Sequence, residues 1–200
     1  MREELLPLLI LGAGGHTKVL LEALLQEQRE IIGIVTLDLD SGTDYLSLSV
    51  IGNDEAVFEY NTQEVLLING VGSLPGKQNR WDLSVTMRER GYRFGSVIHP
   101  NSTIATDVLL AEGVQIMAGT IIQPGTHIGI NTIINTRTSI DHDGSPLSFA
   151  GSVFRERTVL YRQFNAIHSV DCTAGTLFTN LFFRSGCYVG FKGGTGNGKV

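Results

Sequence analysis

Residues 96–143 read SVIHPN STIATD VLLAEG VQIMAG TIIQPG THIGIN TIINTR TSIDHD, which is a repeat of six residues. The third residue of every hexad is aliphatic: Ile98, Ile104, Leu110, Ile116, Ile122, Ile128, Ile134 and Ile140. The first residue is small or β-branched: Ser96, Ser102, Val108, Val114, Thr120, Thr126, Thr132 and Thr138. A period of six fits neither an α-helix nor an alternating strand. It predicts a triangular β-helix in which each side is a short strand and the aliphatic side chains stack inside.

Residues 1–95 alternate short apolar runs with polar stretches of helical periodicity, which predicts a small α/β domain with a Rossmann-like order of elements. The first strand leads into the turn Gly12-Ala13-Gly14-Gly15. The helix after it places Val19, Leu20, Ala23 and Leu24 on one face. The predicted strands are 8–11, 31–36 and 64–69, and the predicted helices are 16–28 and about 77–90.

The glycine-rich turn is compatible with an anion site, because backbone amides at a helix N-terminus attract phosphate. It is not a dinucleotide fingerprint, since the third glycine of GxGxxG would fall at Thr17. Any tight turn from strand to helix can also use glycine. On residues alone, a phosphate site and a purely structural turn are equally supported.

Residues 144–200 do not continue the hexad pattern. They contain 9 of the 15 aromatic residues and only two acidic residues, Glu156 and Asp171. A natural solenoid continues to a capping element that protects its core and strand edges. Our hypothesis is that the reading frame slips near codon 144 or that the gene is degraded there. A family-specific insertion with its own structure is the alternative.

The formal net charge of −5 argues against nucleic acid as a partner. No apolar run approaches the roughly 20 residues that span a bilayer, so we expect a cytoplasmic protein without membrane contact. Three histidines of the repeat, His99, His127 and His142, occupy different hexad phases and would not cluster. No metal site is therefore predicted.

Three segments resemble the sugar O- and N-acyltransferases of the NeuD/PglD type, a family of hexapeptide-repeat acetyltransferases that includes sialic acid O-acetyltransferases. Residues 11–19, LGAGGHTKV, are similar to the family's first βα turn. Residues 96–104, SVIHPNSTI, are similar to its entry into the β-helix. Residues 139–143, SIDHD, resemble the segment that carries its catalytic histidine.

The resemblance implies a left-handed parallel β-helix, incomplete or disrupted at its C-terminal end, in a homotrimer that binds acetyl-coenzyme A between neighbouring solenoids. It implies His142 as the general base, with Asp143 orienting the imidazole. It also implies a site for a nucleotide-activated sugar or sialic acid at the carboxyl ends of the N-terminal strands. The residues expected to bind this substrate are Gly12, Gly14, Gly15, His16, Asp38, Asn69, Gly70 and Gly72.

The sequence therefore predicts three regions: an α/β nucleotide-sugar domain at 1–95, a β-helix at 96–143 and an atypical tail at 144–200. The expected activity is transfer of an acetyl group from acetyl-coenzyme A to an amine or hydroxyl of a sugar. The alternative is a catalytically inactive, truncated relative that acts only as a sugar-nucleotide-binding or assembly module. Composition and spacing select neither the acceptor sugar nor the acceptor atom.

Overall fold

The computed structural model describes residues 6–72 and 79–143, together with the backbones of several strands between 153 and 190. The first region forms a five-stranded sheet in the order β3-β4-β2-β1-β5. Neighbouring strands are parallel except for β3, which pairs antiparallel with β4 at the edge. The strands are β1 (Leu8–Leu11), β2 (Ile31–Val35), β3 (Asp44–Tyr45), β4 (Leu48–Gly52) and β5 (Leu66–Asn69).

The central strand β1 is buried on both faces because its side chains alternate between two apolar layers. Leu8 and Ile10 pack in one core with Leu20 and other residues of helix α1 (Gly15–Gln26). Leu9 and Leu11 pack in a second core with Met87 of helix α2 (Asn79–Glu89). Burying each such side chain stabilises the fold by about 1.5–3 kcal/mol.

The predicted face of α1 is correct for Leu20, Ala23 and Leu24, which are buried, and wrong for Val19, which is 44% exposed. Thr17 and Leu21 complete the buried stripe instead. The helix turns this stripe toward the sheet because Thr17 is held by the loops that follow β1 and β5.

The hexad repeat folds as predicted into stacked two-residue strands. Each strand ends on the aliphatic residue of its hexad. Five of these residues form a continuous buried core together with Val114: Ile116, Ile122, Ile128, Ile134 and Ile140. Strands 18 residues apart pair in parallel, as in Ile122 with Ile104 and Ile140. The strands are β6 (Val97–Ile98), β7 (Thr103–Ile104), β8 (Leu109–Leu110), β9 (Gln115–Ile116), β10 (Ile121–Ile122), β11 (His127–Ile128), β12 (Ile133–Ile134) and β13 (Ser139–Ile140).

From Gly113 onward, the corners of the solenoid use left-handed backbone at every sixth residue. The residues with positive φ are Gly113, Gly119, Gly125, Asn131, Arg137 and Asp143. Each of the three glycines lies below the residue 18 positions later, where a Cβ would be crowded. Glycine thus stands at three successive corners where the backbone is left-handed, and Asn131, Arg137 and Asp143 repeat the same turn 18 residues later with non-glycine residues.

Beyond residue 143, most of the predicted atypical tail lies outside the described residues, as does the proposed break near codon 144. The described backbones β14 (Val153–Phe154) and β15 (Val159–Gln163) pair in parallel with β12 and β13. The later strands pair antiparallel instead. Parallel coil pairing therefore stops at β15 among the described strands. These later strands are β16 (Ala166–Thr173), β17 (Thr176–Phe182) and β18 (Tyr188–Gly190).

The α/β sheet and the solenoid meet through polar contacts as well as shared core. The backbone N–H of Ile98 donates to Oε1 of Glu27 at 2.9 Å, and that of Phe94 donates to Oε1 of Glu112 at 2.8 Å. Val97 and Met117 of the solenoid region join the core beneath α1. Within the described part of the chain, no helix combines the length and the apolar character needed to cross a bilayer.

Candidate functional site

A cavity of about 360 Å³ opens at the carboxyl ends of β1, β2 and β5. This is the edge at which parallel α/β sheets bind ligands, because the connecting loops diverge there. The loops after β1 and β5 form most of its wall, and the start of α2 closes one side. The lining residues are Gly12, Ala13, Gly14, Gly15, His16, Asp38, Gly70, Val71, Gly72, Asn79 and Arg80.

The two glycine loops are held against each other by Thr17. Its hydroxyl is 2.7 Å from the carbonyl oxygen of Gly12 and 3.3 Å from that of Gly70. Gly12 has a φ of +95°, and a Cβ at Gly70 would collide with the Thr17 hydroxyl and the Leu11 carbonyl. Glycine is required at both positions, so that the loops approach closely and leave the cavity open.

The N-terminus of α1 faces the cavity and has no acidic side chain of its own to compensate the helix dipole. Gly14 is the N-cap, no side chain caps the helix, and its first turn has no acidic residue. A Cβ built at Gly14 or Gly15 would meet no heavy atom within 4 Å. The first amides of α1 are therefore exposed on the cavity side, where the helix dipole favours an anion.

His16 connects this loop to the solenoid. Its Nε2 atom lies 2.7 Å from Oε1 of Gln115 on β9, and Nε2 of Gln115 donates to the carbonyl oxygen of Asn69 at 2.9 Å. Burial is the main reason that the pKa of His16 lies below its usual value; the bond to Gln115 opposes the shift and Arg80 adds to it. A neutral His16 that donates from Nε2 leaves Nδ1 as an acceptor.

Asn69 lies behind the cavity wall and is 1% exposed. Its Nδ2 atom donates to the carbonyl oxygen of Arg80 at 3.0 Å and to the hydroxyl of Ser84 at 2.9 Å. Its Oδ1 atom accepts from the N–H of Val71 at 3.1 Å. The side chain thus ties the loop after β5 to α2, and both atoms of its amide already have partners within the protein.

His142 and Asp143 form the second predicted group, at a corner of the solenoid. Nδ1 of His142 is 3.0 Å from Oδ2 of Asp143, and both side chains are exposed. The hydrogen bond that His142 donates to Asp143 is the main cause of a raised pKa at His142, with the charges of Asp141 and Asp143 adding to it. This contact directs the Nδ1 proton toward the carboxylate and leaves Nε2 as the basic atom.

The structure therefore brings together seven of the eight residues predicted to bind substrate, with Asn69 directly behind them. It does not bring His142 into the cavity of the same chain, because neither His142 nor Asp143 lines that space. Among the described residues, no group of three His, Cys, Asp or Glu side chains is arranged to hold a metal ion.

Two residues that sequence reasoning missed are Arg80 and Gln115. Arg80 is 2% exposed, and its Nη1 atom donates to the carbonyl oxygens of Asn69 and Val71, both at 2.8 Å. A signal existed for Arg80, since Arg80, Ser84 and Met87 are the buried face of α2 and have helical spacing. Gln115 carries no comparable signal, because its partner His16 is 99 residues away.

Residues 7–81 match the PglD N-terminal domain family. No curated protein sequence matches the chain. Among solved structures, PerB from Caulobacter crescentus with CoA and GDP-perosamine is 33% identical, with a TM-score of 0.61 over 68% of this chain and 63% of its own. A histidine-to-asparagine mutant of perosamine N-acetyltransferase from the same organism, also with CoA and GDP-perosamine, gives 32% identity with the same TM-score and coverage.

The acetyltransferase domain of PglB from Neisseria gonorrhoeae, in complex with acetyl coenzyme A, is 26% identical to this chain. Its TM-score is 0.60, and the match covers 68% of this chain and 65% of that domain. The chain thus spans slightly less than two thirds of the length of these relatives. It is homologous to sugar N-acetyltransferases and shares their combination of α/β domain and β-helix.

Proposed function

We propose that the chain, whose residues 7–81 match the PglD N-terminal domain family, transfers an acetyl group from acetyl-coenzyme A to an amine or hydroxyl of a nucleotide-activated sugar. The observation that carries the proposal is the cavity at the carboxyl ends of the N-terminal strands. It gathers exposed helix amides, the carboxylate of Asp38 and the buried cation Arg80 around one space. Such a set suits a ligand that has both phosphates and hydrogen-bonding groups.

In this reaction, the acceptor nitrogen or oxygen attacks the thioester carbonyl and a new N–C or O–C bond forms. Nε2 of His142 removes the proton from the attacking group, and the C–S bond then breaks to release coenzyme A as the thiol after protonation. General-base assistance of this kind contributes about 10²- to 10⁴-fold. Asp143 holds the imidazole through Nδ1 and stabilises the imidazolium that forms.

The separation of the cavity from His142 within one chain favours assembly of the site from two chains of a homotrimer. A neighbouring solenoid then presents its His142 at the open side of the cavity. In a ring-shaped trimer each interface joins two different surface patches, so one patch can carry the cavity and the other can carry His142. The exposed apolar side chains of Leu109 and Ile121 on the solenoid supply surface for such contacts.

A non-catalytic sugar-nucleotide-binding or assembly module is the second candidate. The observation that favours it is the end of parallel coil pairing at β15 among the described strands. Relatives of this chain extend over a greater length, since the match covers 63–65% of theirs. A chain that keeps the cavity and lacks the acyl-donor site would bind the nucleotide sugar and release no coenzyme A.

Release of free thiol from acetyl-coenzyme A distinguishes the two functions. The acceptors are GDP-perosamine, UDP-4-amino sugars and sialic acid, each tested with wild type, His142→Ala and the control His127→Ala. His127 is an exposed histidine of the same solenoid and does not line the cavity of the α/β domain. Turnover that survives in His127→Ala and is lost in His142→Ala supports the enzyme. Nucleotide-sugar binding by folded wild type without thiol release supports the module.

A further inference from the structure

Arg80 uses only part of its guanidinium within the protein. Nη1 makes both of its hydrogen bonds to backbone carbonyls of the loop after β5. Nε and Nη2 are buried, and neither has a hydrogen-bond partner among the described residues. The ion pairs of the described residues do not include Arg80 either.

A buried guanidinium without an anionic partner is an unfavourable arrangement. Burial lowers the pKa of Arg80 to about 9, so the group is still protonated at neutral pH. Its two contacts with Asn69 and Val71 hold the plane of the guanidinium in place. The free Nε and Nη2 atoms lie on one edge of that plane, which is the edge that binds a phosphate or carboxylate through two parallel hydrogen bonds.

The same cavity contains a second, independent anion-binding feature. The uncapped N-terminus of α1 reaches it through Gly14, Gly15 and His16, and no side chain in the described part of the chain caps this end of the helix. One wall therefore offers a side-chain cation, and another offers backbone N–H groups with the positive end of a helix dipole. The two features match two adjacent negative groups better than a single carboxylate.

We propose that Arg80 binds one phosphoryl group of the acceptor through Nε and Nη2, while the N-terminal amides of α1 bind the adjacent phosphoryl group. This assignment rests on the proposed function, and it narrows the acceptor to a sugar carried on a nucleoside diphosphate. Arg80 is then a binding residue that fixes the pyrophosphate linkage. Sialic acid has one carboxylate and no phosphate, so it cannot place a negative group on both Arg80 and the N-terminal amides of α1.

The first test compares ligands that differ only in the diphosphate. Calorimetry measures binding of GDP, UDP, guanosine, uridine and inorganic pyrophosphate to the full chain. The variants are Arg80→Gln, Arg80→Lys and the control Arg90→Gln, whose arginine directly follows the same helix and lies over the ring of Phe58, outside the cavity. Loss of the two-donor fork should weaken diphosphate binding by about tenfold or more in Arg80→Gln and by less in Arg80→Lys. Nucleoside affinity should change less than about twofold, because nucleosides lack the phosphates.

Arg80 also supports the loop after β5, so a variant that weakens nucleoside and diphosphate binding equally identifies a structural role and overturns the proposal. A measurement on wild type avoids this ambiguity. The arginine Nε–H signals are recorded by ¹⁵N NMR, and the signal of Arg80 is identified by its loss in Arg80→Lys. Addition of pyrophosphate should shift this signal. No shift at saturating pyrophosphate overturns the proposal even if Arg80→Gln unfolds.

Failure of the proposed acetyl transfer can be distinguished from failure of the Arg80 assignment. If wild type binds GDP or UDP through Arg80 and releases no thiol with any acceptor, acetyl transfer is wrong and the phosphate assignment stands. If wild type acetylates sialic acid and binds neither nucleoside diphosphates nor pyrophosphate, acetyl transfer stands and the assignment of Arg80 is overturned.

Discussion

The Nε2 atom of His16 lies 2.7 Å from Oε1 of Gln115, and this contact joins the cavity loop to the solenoid. The orientation of the amide is fixed, because Nε2 of Gln115 donates to the carbonyl oxygen of Asn69 at 2.9 Å. Gln115 is 1% exposed, so its contact with the α/β domain is buried. The position of the candidate substrate loop therefore depends on a residue of the β-helix.

Replacing Gln115 with leucine should destabilise the protein by about 1–3 kcal/mol, because the substitution leaves buried polar atoms of His16 and Asn69 with fewer partners. It should also lower the pKa of His16 further, since the bond to Gln115 is the contribution that raises it. Denaturant unfolding measures the first effect and histidine NMR titration the second. The control is Gln123→Leu, at an exposed corner residue of the solenoid. A pKa of His16 that is unchanged in Gln115→Leu would contradict the described contact.

The burial of His16 makes stability depend on pH. Because its pKa is lower in the folded state than the unfolded value of about 6.5, the unfolded chain binds more protons below that pH. The stabilisation is complete above about pH 6.5 and decreases as the pH falls toward the folded pKa. Unfolding free energies of wild type and His16→Asn, measured between neutral and mildly acidic pH, should therefore converge on acidification. Parallel curves would show that His16 is not buried in its neutral form.

The hexad register could be read from the sequence because every coil repeats the same physical requirement. An aliphatic residue must fill the interior at the end of each strand, so Ile122 and Ile140 have the same place in successive coils. The edge hairpin β3–β4 could not be read in this way. Its turn places Leu46 and Ser47 in left-handed backbone, where a tight hairpin usually has Asn or Gly, and the sequence contains no such signal.

The candidate site was predictable to the extent that it depends on local loops. The glycines that follow β1 and β5 line the cavity, and their place there could be predicted because they form the turns after parallel strands. The contacts of Gln115 with His16 and Asn69 join residues that are 99 and 46 positions apart. Such pairs depend on how the domain packs against the solenoid, and periodicity carries no information on that packing.

The corner at Gly125 links the solenoid backbone to the candidate base. Gly125 has a φ of +73°, and a Cβ added there would collide with the carboxylate of Asp143 in the next coil. Gly125→Ala should therefore displace Asp143 and lower the pKa of His142, besides a backbone cost of about 1–2 kcal/mol. Gly119→Ala is the matched control, because Gly119 has a φ of +69° and lies below Arg137 instead. Histidine NMR titration checks the prediction, and equal pKa values of His142 in the two variants would refute it.

The contact between His142 and Asp143 should control the pH profile of transfer. The hydrogen bond that His142 donates to Asp143 and the charge of Asp141 raise the pKa of His142, so the neutral base accumulates at a higher pH than in an unperturbed histidine. We expect kcat/KM to rise with pH through this raised pKa. Asp143→Asn should move the acid limb to lower pH and reduce the maximal rate by about tenfold or more, since asparagine stabilises the imidazolium poorly.

Asp141→Asn is the graded control for this profile, because it removes only a charge and leaves the hydrogen bond to Nδ1 intact. Its acid limb should move in the same direction and by a smaller amount. An acid limb that stays in place in Asp143→Asn would mean that His142 is not the titrating base.

Assembly of the site from two chains predicts complementation between inactive variants. Gly14→Leu should block the cavity without unfolding the chain, because a side chain at Gly14 meets open space and its backbone is extended. His142→Ala should remove the base and leave the cavity intact. In trimers mixed at equal amounts, about a quarter of the sites combine an intact cavity of one chain with an intact His142 of the next chain, and these sites should be active.

Thiol release from the co-expressed chains, purified as mixed assemblies through two different tags, checks this expectation. Mixing Gly14→Leu with the double variant Gly14→Leu/His142→Ala is the control, because no pair of chains then contains an open cavity. Recovery in the first mixture alone places the base and the acceptor on different chains. If mixed assemblies form and remain as inactive as each parent, transfer takes place within one chain, and the cavity must then approach its own His142 through a movement of the α/β domain against the solenoid.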